Sequence, residues 1–600
     1  MQVYKAPLRD MRFVLHEMLD AEQLSRLPGF EEATPETIDA ILEEGAKFCE
    51  DKLLPLNPIG DEEGCTYENG VVRTPTGFKQ AYDDFVGAGW QSISSDPKYG
   101  GQGLPALMNF VVEEMVCSTN IAFGVYPLLS RGAAALIERH GSEAIKDTYL
   151  PHLTDGSWSG TMCLTESQCG TDLGLIRTKA EPASDGVYNI SGSKIFISAG
   201  EHDLAENIIH LVLAKLPGAP EGVRGISLFL VPKFNIKGSG ASAELGPRNG
   251  VSCGSIEKKM GIHGSATCVL NFDEAEGYLI GEAHKGLRCM FTMMNGARLG
   301  VGMQGLALGE TAYQSATAYA KERRSGKSLV KGAKSAKAAD PIIVHPDVRN
   351  MLLTVRAYNE GTRALAYWTA LNVDISTNHP DAATRRDADE LVQLMTPIIK
   401  AFLTDRGFEG ANLAVQVHGG HGYITEHGME QLVRDARISQ LYEGTNGIQA
   451  LDLVGRKLGL HTGRLLRHFF HPATAFVEAH QNDEGVKDIV LPLAKALGKL
   501  QQATLAIAQK GLGDPEEAAA VATDYLKMFG LVAVGYMWAM MAEKALAKVN
   551  DDANGEARYY ANKVKTARFY MYKLLPESAS LFLRIMTGKA AIAQFDEDDF

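Results

Sequence analysis

Hydrophobic positions along the chain change their spacing twice. From the start to about residue 155 they fall at helical intervals, as in Ile38, Ile41, Leu42 and Cys49. Thr34 followed by Pro35 reads as the N-cap and first turn of that helix. From about 160 to 285 short runs rich in β-branched residues take over, at 208–213, 226–231 and 267–272, parted by Gly, Pro and Ser clusters. Residues 193–198 alternate polar with apolar. Helical spacing returns from about 287 to 460. A further helical region starts near 465, with the stripe Leu493, Leu497, Leu500, Thr504 and Ile507. The pattern predicts an α+β protein in five parts: an N-terminal extension (1–35), a helical domain (36–158), a middle β-domain (159–285), a second helical domain (286–464) and an extra C-terminal helical domain (465–600). The β-domain is expected to be antiparallel and closed as a small barrel. Residues 96–103 read as a glycine-rich turn, 327–341 as an exposed basic loop and 596–599 as a solvated acidic tail.

Six hundred residues exceed what one core accommodates, which agrees with several domains. A net charge of -14 lacks the basic footprint of a nucleic-acid binder and disfavours anionic membrane surfaces. The eight cysteines show no CxxC pair or zinc spacing, so free thiols in a reducing compartment are expected. The first residues lack the basic-then-apolar order of a signal peptide. The most apolar stretch, 529–542, falls short of the ~18 residues that span a bilayer and reads as a buried helix. These features predict a cytoplasmic protein. His418 and His421 have no carboxylate or thiolate partners that would complete a metal site, so no metal is expected.

The candidate chemistry gathers at 442–449, Tyr-Glu-Gly-Thr-Asn-Gly-Ile-Gln. One helical pattern runs into it and another runs out. Gly444 and Gly447 supply freedom for a break, and Asn446 with Gln449 is placed like a capping box. Glu443 then sits on a loop pinned at both sides. Upstream lie 414–423, Ala-Val-Gln-Val-His-Gly-Gly-His-Gly-Tyr, and 432–436, Leu-Val-Arg-Asp-Ala. This ordered run resembles the C-terminal signature of the acyl-CoA dehydrogenase family. The resemblance covers roughly residues 80–460, and the extra C-terminal region resembles the family's long bacterial form.

The resemblance implies FAD as cofactor and assigns residues to it. Met162, Leu164, Thr165 and Thr171, in the run 162–172, would lie along the flavin, with Thr171 also near the substrate. Phe196 and Ser198 would pack against the ring. Arg323 would grip the pyrophosphate beside Ser325, with Arg324 as the alternative contact. Gln416, Gly419 and Gly420 would reach the flavin of a neighbouring subunit, so a homodimer is implied. Thr445 and Gly447 complete the cofactor set, and Asn295, Arg298, Tyr442 and Gly444 line the substrate.

The implied reaction is α,β-dehydrogenation of an acyl-CoA thioester. Glu443 takes the α-proton while the β-hydrogen leaves as hydride to flavin N5, and electrons pass on to an electron-transfer flavoprotein. Donors aimed at the thioester carbonyl stabilise the developing enolate. The long-form features, among them the opening ten residues and the segment 258–265, point to a short sulfur-bearing substrate, 3-methylthiopropanoyl-CoA, with Met293 and Met294 as candidate lining. The rivals are a general short-, medium- or long-chain dehydrogenase, an acyl-CoA oxidase, and a DNA-associated alkylation-response flavoprotein, which the net acidity disfavours.

Overall fold

The computed structural model describes residues 2–184, 186–330, 337–550 and 555–600. The chain divides into two compact units. One contains Met1–Ala46, Phe110–Ser118 and Val301–Phe600; the other contains Lys47–Asn109 and Thr119–Gly300.

The second unit carries the β-domain. Its strands are β1 (Trp158–Cys163), β2 (Lys179–Ser184), β3 (Val187–Ser198), β4 (Asn207–Lys215), β5 (Ile226–Pro232), β6 (Val251–Ile256) and β7 (Thr267–Ile280). They follow the order β6-β7-β3-β2-β4-β1, and β5 pairs with both β7 and β4. Strand β5 thereby closes the ring β7-β3-β2-β4 into a small barrel. Its filling includes Ile190, Ile197, Val212, Phe229, Val231 and Leu270, all buried. The expectation of a purely antiparallel sheet fails at β1. That strand runs parallel to β4 over six pairs, from Trp158 opposite Asn207 to Cys163 opposite Val212, and β2 meets β4 in parallel at Lys179 and Lys215. The β2–β3 hairpin lies between β1 and β4 in sequence, so β4 returns in the same sense as β1.

A hairpin also interrupts the region expected to be mainly helical. Thr66–Glu68 pairs with Val71–Arg73 around Asn69 and Gly70, both at positive φ. The Asn-Gly pair is the sequence signal for that turn. In the 96–103 segment, Asp96 accepts a hydrogen bond from the Lys98 amide at the head of a short turn that ends at Gly100.

The first unit is helical. The segments that carry the site are α1 (Gly286–Glu322, from residue 301 on), α2 (Pro346–Asn378), α3 (Ala382–His418), α4 (Met429–Ser439) and α5 (Asn446–Asp452). Helices α1 and α3 cross at glycine. A methyl group on Gly407 would lie 2.0 Å from the Gly305 carbonyl oxygen, and one on Gly302 would meet Ile399 at 2.6 Å. Any side chain at these points would force the backbones apart.

In the extra C-terminal region, the stripe Leu493, Leu497, Leu500, Thr504 and Ile507 is buried on α6 (Lys487–Gly513). The apolar stretch at 529–542 belongs to α7 (Ala522–Lys548), 27 residues long, which corrects the expectation that it is too short to span a bilayer. Among the described residues two helices, Ala106–His140 and α7, pass that test by length and composition, but 72% and 89% of their apolar windows are buried in the protein. Helix α7 is apolar all round because it is enclosed: Leu531, Val532, Ala533 and Val534 have no exposed surface.

The N-terminal extension is bound into the same unit by charge. Arg9 pairs with Glu556 at 2.6 Å, and Lys548 with Glu17 at 2.9 Å. Arg363, 1% exposed at its side chain, bonds Asp10, Glu114 and Glu310. Lys563 pairs with Asp10 and Glu360. Burial pushes the Asp10 carboxyl up, but Lys563 and Arg363 outweigh it and hold it at about 2. Burial raises Glu114 despite the same guanidinium.

The basic loop is anchored more deeply than expected. Ser328 and Asp340 are buried, with the Ser328 amide donating to Asp340 at 2.8 Å, while Leu329 and Val330 are exposed. Residues 331–336 of that loop lie outside the described residues. The acidic end, Glu597–Asp599, is an exposed turn. The eight cysteines form no disulfide.

Candidate active site

Helix α4 ends at Ser439 and α5 begins at Asn446. The loop between them carries Glu443, half-buried and at φ 58°. A glutamate in the left-handed region costs about 1–2 kcal/mol, so its surroundings must hold it there. Gly444 follows at φ 83°, where a Cβ would come within 2.8 Å of the Gln449 amide nitrogen.

The expected capping box at Asn446 and Gln449 does not form. Thr445 is the cap, its hydroxyl accepting from the Ile448 amide at 3.4 Å. Gly447 lies inside the first helical turn with no positive φ, so the break falls at Glu443 and Gly444 instead. This frees the other two side chains to brace the loop. Gln449 Nε2 donates to the Glu443 carbonyl at 2.9 Å. Asn446 reaches back to α3: its Oδ1 accepts from Lys400 Nζ at 2.9 Å, and its Nδ2 donates to Asp405 Oδ1 at 2.7 Å and to Thr404 Oγ1 at 3.0 Å.

Tyr442 donates its hydroxyl to Gln304 Oε1, on α1 just before the glycine crossing. Gln304 has no exposed surface, and among the described residues its Nε2 has no partner. Burial, then the nearby Cys117, Glu443 and Glu113, pushes the Tyr442 phenol well up, so it stays neutral.

In the β-unit, the segments read as flavin contacts come together. The Ile195 amide donates to the Thr165 carbonyl at 2.9 Å, and Lys194 Nζ donates to the Leu164 carbonyl at 3.0 Å. Strand β3 does not alternate simply. Against β7, Ile197 pairs with Cys268 but Lys194 pairs with Leu270, so β3 carries one extra residue. This bulge, with Phe196 at φ 58°, turns Lys194 inward and leaves the Phe196 ring 59% exposed. Lys194 meets Glu166 at 2.8 Å, both buried. Burial pushes the Glu166 carboxyl up, but Lys194, the Thr178 hydroxyl and the Arg177 amide outweigh it and hold it at about 2. Met162 is half-buried on β1, and Thr165 and Ser198 are half-buried too; Thr171 is exposed in the turn that follows. Asn295 is exposed, and Arg298, 5% exposed, donates to it at 3.4 Å. Met293 is buried against Gly132, whose Cβ would lie 3.1 Å from it, so it serves helix packing; Met294 is half-buried.

In the helical unit, Arg323 and Ser325 are exposed at the end of α1. Among the described residues the Arg323 guanidinium has no partner, whereas Arg324 donates to the Ala339 carbonyl at 3.0 Å. Arg323 is therefore the guanidinium open to a phosphate. Gln416, Gly419 and Gly420 are exposed where α3 ends, with Gly419 at φ 60°. His418 and His421 bond the Ala414 carbonyl and the Tyr319 hydroxyl, each through Nδ1.

Four family models match the chain in order. They describe the acyl-CoA dehydrogenase N-terminal domain (35–157), its middle domain (161–275), its C-terminal domain (284–458) and an acetyl-CoA dehydrogenase C-terminal-like domain (469–596). Over 586 residues the chain is 43% identical to 3-methylmercaptopropionyl-CoA dehydrogenase of Ruegeria pomeroyi, covering 97% of this chain and 98% of that one. The chain belongs to the acyl-CoA dehydrogenase family. It is also 34% identical to a butyryl-CoA dehydrogenase of Syntrophomonas wolfei, covering 96% and 95% of the two chains. An acyl-CoA dehydrogenase from Bacillus anthracis, solved with FAD, shares the fold with a TM-score of 0.73 at 20% identity, over 99% of this chain and 93% of that one.

As a member of this family the protein is an FAD-dependent oxidoreductase. Its residues fit that cofactor. The bulge presents the Phe196 ring to solvent beside the half-buried Thr165 and Ser198 hydroxyls, as an isoalloxazine face requires. The unpartnered Arg323 guanidinium suits a pyrophosphate.

Sequence reasoning missed Gln304, Lys400, Asp405 and the Glu166–Lys194 pair. Only Glu166 and Lys194 lay within quoted motifs. Lys194 carried a signal, a charge on a strand beside apolar Ile195, whereas Glu166 lies in the turn after β1 and carried none.

Proposed function

We propose that this acyl-CoA dehydrogenase oxidises 3-methylthiopropanoyl-CoA to 3-methylthioacryloyl-CoA, with Glu443 as the base. One observation carries the chemistry: a single carboxylate stands at the apex of a loop forced into the left-handed region and braced on both sides. The near-full-length similarity to the Ruegeria pomeroyi enzyme supports the thioether substrate.

Bound FAD supplies the acceptor for the β-hydrogen. Glu443 takes the α-proton onto its carboxylate, which calls for the substrate α-carbon within about 3–3.5 Å of it. Gln449 and Asn446 hold the loop backbone while the proton moves. Tyr442, kept neutral by burial, does not compete as a base. On the cofactor side Arg323 would hold phosphate, and Phe196, Thr165 and Ser198 would orient the ring.

The active species in this reading is a cytoplasmic homodimer that passes electrons to an electron-transfer flavoprotein. An uncovered apolar patch, Tyr423 (83% exposed) and Ile424 (49%), lies next to Gly419 and Gly420 and supports a subunit contact there. Eight cysteines without a disulfide support a reducing compartment. One methylene more or less changes binding in an apolar pocket by only about 1–3 kcal/mol, so butanoyl-CoA also reacts.

The test compares kcat/KM for 3-methylthiopropanoyl-, butanoyl-, octanoyl- and palmitoyl-CoA, anaerobically, with one artificial acceptor. The thioether substrate should lead, with butanoyl-CoA next. A preference for palmitoyl-CoA overturns the short-substrate reading, and equal turnover with oxygen as acceptor moves the protein to the oxidases.

A further inference from the structure

We propose that Asp405, on α3, is the positioning residue for the catalytic loop. The inference rests on the reading of Glu443 as the base. One carboxylate oxygen of Asp405 fastens both shoulders of the turn: Gln440 Nε2, just before the loop, donates to Oδ1 at 2.7 Å, and Asn446 Nδ2, just after it, donates to the same atom at 2.7 Å. The shoulders are also tied to each other, the Asn446 amide donating to the Gln440 carbonyl at 3.1 Å.

The rest of the clamp orients Asn446. Its Oδ1 faces the buried Lys400 ammonium at 2.9 Å, which fixes its Nδ2 toward the Ala401 carbonyl, Thr404 Oγ1 and Asp405. Lys400, Ala401, Thr404 and Asp405 occupy the stretch of α3 next to Gly407, where α1 crosses through Gly305. The clamp is therefore mounted beside a crossing where two helix backbones touch. Between its two jaws the chain must bridge Leu441 to Thr445, and it does so with Glu443 and Gly444 both at positive φ. The jaws thus hold both ends of the stretch that carries the glutamate in the left-handed region.

A carboxylate is the suitable group for this work. It accepts only, so it never turns a donor toward the two amide N–H groups, and its charge strengthens both bonds. An asparagine at 405 keeps the size but loses the charge. A displacement of the base by about 1 Å is enough to slow proton abstraction on the order of a hundredfold.

The test uses the flavin-loaded full-length enzyme. Asp405→Asn should lower kcat about 10- to 100-fold with a smaller change in KM. The primary isotope effect with α-deuterated substrate should rise, because proton abstraction becomes more fully rate-limiting. A merely structural role would lower the active fraction and leave the isotope effect unchanged. Gln440→Met removes one jaw and serves if the first variant folds poorly; it should raise the isotope effect less. The double variant should be no worse than Asp405→Asn alone, since both changes break one contact.

Unchanged kcat and isotope effect in Asp405→Asn or in Gln440→Met overturn the proposal, as does strict additivity in the double variant. Glu443→Gln is measured alongside. If it keeps turnover, the reading of the base fails, which is a separate result from a normal Asp405→Asn beside an inactive Glu443→Gln.

Discussion

Replacing Glu166 by Gln should loosen the turn that the family reading places along the flavin. Both oxygens of this carboxylate are committed. Oε1 accepts from Lys194 Nζ at 2.8 Å, the Thr178 amide at 3.0 Å and Thr178 Oγ1 at 2.6 Å; Oε2 accepts from the Arg177 amide at 2.7 Å and Gln168 Nε2 at 2.6 Å. A glutamine keeps one acceptor and turns an NH2 group against donors on the other side. It also leaves the fully buried Lys194 ammonium without its anion. Removing one partner of a buried pair costs about 3–5 kcal/mol.

A folded pKa near 2 against an ordinary value of 4.5 leads independently to about 3 kcal/mol. Because the folded value is depressed, that stability is present above pH 4.5 and is lost as pH falls toward 2. A chain of several domains does not melt in one step, so the readout is local hydrogen exchange at the Arg177 and Thr178 amides. In Glu166→Gln they should exchange about a hundredfold faster or more, and flavin content should fall. Glu166→Gln with Lys194→Met should recover part of the loss, since the unpaired charge is gone. Unchanged exchange at 177 and 178, or a double variant worse than the sum of its parts, would refute the reasoning.

Glu443→Gln should bind FAD and acyl-CoA normally and lose at least ~100-fold in turnover, the usual scale for removing a positioned base; near-normal steady-state rates would remove the assignment. Arg323→Ala should lower flavin content and dimer stability together, whereas Arg324→Ala should change both less, as read by flavin absorbance and sedimentation. A flavin-replete active monomer would contradict this. Arg363→Met should destabilise the helical unit by about 3–5 kcal/mol in urea unfolding, because it leaves Glu114 and Glu310 buried without their cation, while Asp10 keeps Lys563. The same variant should expose the N-terminal segment to limited proteolysis.

The layout of elements was largely legible because hydrophobic spacing reports which face of an element is buried. The α6 stripe and the β-branched runs show this directly. What spacing does not report is strand direction or register. The parallel β1–β4 pairing depends on how many strands intervene, and the extra residue in β3 depends on a positive φ at Phe196, a residue with no intrinsic preference for it. The charge pairs tying residues 9–17 to 548–563 were illegible for a different reason. Arg, Lys, Asp and Glu look the same in sequence whether solvated or paired, and their partners lie more than five hundred positions away.

The loop that carries Glu443 divides along the same line. Glu443 was readable because a carboxylate set among glycines within a long ordered signature has few roles. Its braces were not. Lys400 and Asp405 sit on a helix whose polar positions look like an ordinary solvated face, and Gln440 and Asn446 look like loop residues. They converge only because Gly305 and Gly407 let two helices approach backbone to backbone, which buries that face of α3 and aims it at the loop. Two small residues thus decide where Glu443, far along the chain, is held. A side chain at Gly407 would act on Glu443 through this crossing, although it touches neither the loop nor the substrate.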